Sequence, residues 1–105
     1  MSKGYNGWTN YETWCVNLWM DNEEGSYDYW REVAEDVWDA EDPEESQRLL
    51  ADRIRQQIEE GQPLTKGLYA DLIEAALSEV DWDEIASHFI YDLKAEAKKE
   101  EVETE

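Results

Sequence analysis

The chain has one cysteine, Cys15, and one histidine, His88. A lone thiol excludes an internal disulfide framework, and with a lone imidazole it leaves too few soft ligands for a structural zinc site. Cations are scarce too: 9 Lys and Arg stand against 28 Asp and Glu, a formal charge of −19. A surface of that sign does not neutralise phosphates, so neither direct nucleic-acid binding nor docking on an anionic membrane is expected. No apolar run approaches the roughly 20 residues of a membrane span, and Met1-Ser2-Lys3-Gly4-Tyr5-Asn6 lacks the hydrophobic stretch of a secretory signal. A cytoplasmic location is the expectation. The glycines form no phosphate cradle, and neither a Gly-x-Ser-x-Gly nor a P-loop pattern occurs. The chain therefore reads as a non-enzyme with no catalytic residue, metal or cofactor.

Low mean hydropathy (−0.88) and high charge are the composition of a disordered chain. Six Trp, six Tyr and one Phe oppose that reading, because each ring buries about 150 to 250 Å² when packed. The order of residues decides for helices. Thr9 and Glu12 have the spacing of a reciprocal capping box, and Tyr11, Trp14, Cys15, Leu18 and Trp19 follow as one helical face over about 10 to 22. Gly25 ends this segment. Ser26 is the expected cap of a second helix, with Trp30, Val33, Ala34, Val37 and Trp38 on its apolar side. Asp42-Pro43-Glu44-Glu45 starts a third helix over about 43 to 60, with a thin stripe of Leu50, Ile54 and Ile58. Past Gly61 and Pro63, the residues Tyr69, Leu72, Ile73, Ala76, Leu77 and Val80 form a fourth apolar face. Asp81 and Glu84 then cap a fifth helix carrying Trp82, Ile85, Ala86, Phe89, Ile90, Leu93 and Ala97.

The expectation is an all-α, compact single-domain bundle of about five short amphipathic helices. Its core should be Trp-rich, with the tryptophans at 14, 19, 30, 38 and 82 meeting inside. The division is an N-terminal arm at 1–8, a helical domain at 9–99 and an acidic tail at 100–105 expected to fray.

Trp8-Thr9-Asn10-Tyr11-Glu12-Thr13-Trp14, with Val16, Leu18-Trp19 and Asp21-Asn22, resembles the opening block of a group of small uncharacterised proteins of phages, plasmids and prokaryotic genomes. Val80-Asp81-Trp82-Asp83-Glu84-Ile85-Ala86 is similar to that group's second block. The resemblance implies no activity. It implies a context, since mobile elements commonly carry small anti-defence proteins, some of them acidic.

Several residues invite a chemical reading beside a plainer one. His88, with Glu84 and Asp92 four residues to either side, has the spacing of a metal or acid-base site, but solubilising acids around a surface histidine explain it better. Cys15 reads as a buried core thiol. The clusters at 81–84 and 39–42 offer hard oxygen ligands without a calcium loop, so capping and a solvated junction account for them. Asn10 and Glu12 would suit a recognition patch with Tyr5, Trp8 and Tyr11, although fastening a helix end is the better account.

The candidate partner surface is the run Asp28, Glu32, Glu35, Asp36, Asp39, Glu41, Asp42, Glu44 and Glu45, with Arg31 its one cation. Were 28–39 helical throughout, its net charge would repeat about every 4 to 5 Å, against roughly 3.4 Å per phosphate along one strand of B-DNA. The expected function is an acidic inhibitor, a DNA mimic occupying the basic groove of a DNA- or RNA-binding or defence protein. The alternative is an acidic interaction or structural module whose charge serves solubility or salt adaptation and which has no nucleic-acid-related partner. The sequence gives no oligomeric state.

Overall fold

The computed structural model describes residues 5–22 and 25–103, with side chains to Lys99. The protein is an all-α bundle of five helices: α1 (Tyr11–Asn22), α2 (Ser26–Val37), α3 (Pro43–Glu60), α4 (Leu68–Ser78) and α5 (Trp82–Glu103). The expected fold class holds. Asp42 caps α3 by accepting from the Glu45 N–H at 3.2 Å, with Pro43 in the first turn where no N–H is needed. α2 starts differently from expectation. Ser26 lies inside the helix, and Gly25 (φ 87°) takes the capping position, where the chain reverses out of α1 through a left-handed conformation. α5 continues to Glu103, past the boundary expected at 99; Met1 to Gly4, Glu23, Glu24, Thr104 and Glu105 lie outside the described residues.

The core is aliphatic. Leu50, Ile54, Ile85 and Ala86 are fully buried, with Met20, Val33, Ala34, Phe89, Ile90 and Leu93 around them. At roughly 1.5 to 3 kcal/mol for each large side chain removed from water, these few residues supply most of the driving force. α3 packs most heavily, on α5, although its apolar stripe is the thinnest in the sequence. Leu50 and Ile54 sit on its inner face, and Ser46 and Ala51 are small enough to let the helices close up.

The expected tryptophan interior is not what forms. Trp8, Trp30, Trp38 and Trp82 are half-buried and pack against the outside of the aliphatic core, and Trp19 is 64% exposed. The reason lies in α1, which is apolar on two sides, so spacing alone does not choose its inner face. Thr13 and Met20 point inward instead, Trp14 joins Tyr5 and Tyr11 in an edge cluster, and Cys15 is half-buried rather than in the core. α4 differs similarly: Ala70 and Val80 are buried and Ile73 and Leu77 half-buried, whereas Tyr69, Leu72 and Ala76 face water.

Candidate functional site

Two polar regions stand out, at 8–13 with 79–88 and at 28–45. In the first, the opening segment is fastened to the α4–α5 junction. Asn10, rather than Thr9, caps α1: its Oδ1 accepts from the Thr13 N–H at 2.9 Å and the Thr13 hydroxyl at 2.6 Å. The Asn10 amide donates to the Glu79 carbonyl at 2.7 Å, and the fully buried Thr13 hydroxyl accepts from the Asp81 N–H at 2.8 Å. Asp81 caps α5 by accepting from the Glu84 N–H at 3.0 Å, its own N–H goes to Thr13, and the Glu84 carboxylate accepts from the Thr9 N–H at 3.0 Å. Trp8 stacks on His88 at 4.3 Å between ring centres. The two sequence blocks are thus the two halves of one joint. Asn10, Thr13, Asp81 and Glu84 serve the fold there, and His88 is a stacking surface. Among the described residues no three His, Cys, Asp or Glu side chains converge to hold a metal ion.

The second region is the α2–α3 hairpin, an antiparallel pair joined across its length by Tyr29 donating to Gln57 and by Arg53 to Asp36 at 2.9 Å. Its turn is held from inside. The buried Ser46 hydroxyl accepts from the Asp39 N–H at 2.8 Å and donates to the Asp42 carbonyl at 3.1 Å, and Asp39 accepts from the Glu41 N–H at 2.9 Å. Serine was overlooked in the sequence; its position four residues into α3, behind Asp39 and Asp42, was the available signal. α2 ends at Val37, with Trp38 extended (ψ 130°), so Asp39 lies on the turn. The acids therefore follow a bent edge rather than one straight row.

All nine acids are exposed. They fall into three groups. Glu35 pairs with Arg31 at 3.1 Å, Asp36 with Arg53, and Glu45 with Arg48 at 2.6 Å. Hydrogen bonds from Arg48 hold the Glu45 carboxyl below its usual range, and those to Glu96 and Tyr27 hold the Arg31 guanidinium above its own. Asp39 and Asp42 spend one oxygen each on the turn. Asp28, Glu32, Glu41 and Glu44 pair with no described cation. Further along α3, Arg48 also reaches Asp52 at 3.4 Å and Arg55 pairs with Glu59 at 3.2 Å, so Asp52 and Glu59 each have a cation on their own helix.

These features define a small, strongly acidic helical protein with an anionic edge along one hairpin. The chain belongs to DUF7249, a family of unknown function, whose profile matches residues 1–105. No curated protein and no solved structure matches it. No described helix is long and apolar enough to cross a membrane.

Proposed function

We propose that the protein is an acidic inhibitor that occupies the basic groove of a nucleic-acid-binding or defence protein in place of a phosphate backbone. The observation that carries this reading is the state of Asp28, Glu32, Glu41 and Glu44: exposed, without a cation partner among the described residues, and displayed on a hairpin whose turn is pinned by buried Ser46. A backbone already held in place spares the partner the cost of ordering it, so only the side-chain rotamers of these acids are fixed on meeting a row of Lys and Arg. Glu35, Asp36, Asp39, Asp42 and Glu45 complete the edge at its borders, where partner arginines would exchange with the internal ones. A charge of −19 also attracts a cationic partner over distance, which raises the association rate at low salt.

A second reading has an observation of its own. Arg31, Arg48, Arg53 and Arg55 are all spent on neighbouring acids, which is how a protein adapted to carry acid for solubility or high salt would use few cations.

Affinity capture from a host lysate at low salt, with displacement by double-stranded DNA, separates the two. For a mimic, a nucleic-acid-binding protein is retained, leaves steeply as salt rises, is displaced by DNA, and is not retained by a chain carrying Asp28→Asn, Glu32→Gln, Glu41→Gln and Glu44→Gln. Recovery of nothing basic, or equal retention by that variant, overturns the proposal in favour of the solvated surface.

A further inference from the structure

α4 is apolar on its inner and outer sides, with Asp71, Glu74 and Ser78 on one flank between them. Ala70, Ile73 and Leu77 face the body, yet Leu68 (68% exposed), Tyr69 (70%) and Leu72 (57%) face water with Ala75 and Ala76, and exposed Leu64 lies just ahead of the helix. A helix of that composition is ordinarily covered on all sides, and an apolar patch of this extent marks a contact surface. The body accounts for the inner residues, with Ala70 buried and Leu77 packed on the core beside an open cleft lined by Arg55, Glu59 and Glu74, but not for the outer ones.

We propose that this face is covered by a second copy of the chain, α4 packing antiparallel on α4 about a two-fold axis beside Leu72. Area supports this occupant: burying Leu64, Leu68, Tyr69, Leu72 and the two alanines from both copies removes on the order of 1,000 Å², the lower bound of a specific interface. Charge selects the arrangement. Lys66, just ahead of α4, pairs with no described acid, and Glu79 follows the helix, so antiparallel packing sets each lysine toward Glu79 of the second copy while the helix dipoles oppose. The apolar centre of the outward surface carries no carboxylate, with Asp71 and Glu79 at its borders, so a cation-rich partner finds little to hold at that centre. Placement limits repulsion between two chains of −19. α4 lies by the carboxyl end of α3, whereas Asp39, Glu41, Asp42, Glu44 and Glu45 lie by its amino end, about 27 Å away along 18 residues, so the acids nearest a second copy are those of the early part of α2, beside Gln57. The inference stands independently of the proposed inhibition.

Sedimentation equilibrium on the intact chain, from about 10 to about 500 µM, tests it. The wild type is expected to sediment as a dimer, more tightly at about 0.5 M NaCl than at about 0.05 M because salt screens the mutual repulsion. Leu72→Glu, at an exposed position that leaves the circular dichroism unchanged, weakens the dimer at least about 100-fold, and Lys66→Glu about tenfold. Glu79→Lys added to Lys66→Glu restores it. A monomeric wild type throughout the range, or a dimer unaffected by Leu72→Glu, overturns the interface. A charge-swapped double variant no tighter than Lys66→Glu overturns the antiparallel arrangement.

Discussion

The joint between 8–13 and 79–88 and the edge at 28–45 are both rich in polar groups, but they dispose of them in opposite ways. In the joint, Asn10 and Thr13 direct their hydrogen bonds to partners inside the chain, and Thr13 is wholly buried. Along the edge, four carboxylates end in water and the internal bonds go to the backbone that carries them. The difference teaches where selection for folding stops: polar groups satisfied internally hold the bundle, and those left over are free to meet another molecule.

That comparison is open to attack from either side. The largest effect is expected at the joint. Thr13→Val leaves the Asp81 N–H without its acceptor and should destabilise by about 2 to 3 kcal/mol in urea unfolding. A loss below about 0.5 kcal/mol would mean the joint is not structural. Asn10→Ala removes the α1 cap and the bond to Glu79, for about 1 to 2 kcal/mol by the same measurement. On the edge the sign should reverse. Raising NaCl from about 0.05 to about 0.5 M should lift Tm by about 5 °C, because unpaired acids repel across distances that salt screens. A flat response would put the edge in the same class as the joint. Neutralising Asp28, Glu32, Glu41 and Glu44 together should change stability by no more than about 1 kcal/mol, upward, and flatten the salt response. The smallest effect belongs to Glu45. Its carboxyl is held below the ordinary 4.5 by Arg48, so its contribution is full above that value and lost as pH falls through the depressed one. A Glu45→Gln chain should therefore be slightly less stable than wild type at pH 7, and the gap should close in acid denaturation.

How far the sequence revealed these regions depended on the kind of signal each carries. Helix ends marked by Asp42, Pro43 and Asp81 were legible because one side chain or ring dictates the local geometry. The inner face of α1 was not, since an apolar helix offers two faces and a long-range bond from Thr13 to Asp81 chooses between them. The aromatic opening block, the most distinctive string in the chain, read better as the fastening of a helix end than as a recognition patch, and the same nonlocal bond extends that fastening to the start of α5. The nine acids of the edge were legible as a group, but their sorting into paired, capping and unpaired members was not. Arg48 reaches Glu45 within one turn of α3, but Arg53 reaches Asp36 only because the hairpin brings the two helices together. The exposed face of α4 had a signal in its composition, Tyr69 and Leu72 beside Ile73 and Leu77, which periodicity alone placed on one apolar face.

The placement of indoles at the margin of the bundle has an optical consequence. Trp38 closes α2 one residue ahead of Asp39, so emission from this ring senses what settles on the carboxylates of the turn. Caesium, drawn in by the local field, should quench it more than iodide, which that field repels, and a bound basic protein should abolish the difference. The chain thus carries its own fluorescent gauge of occupancy, with no dye attached.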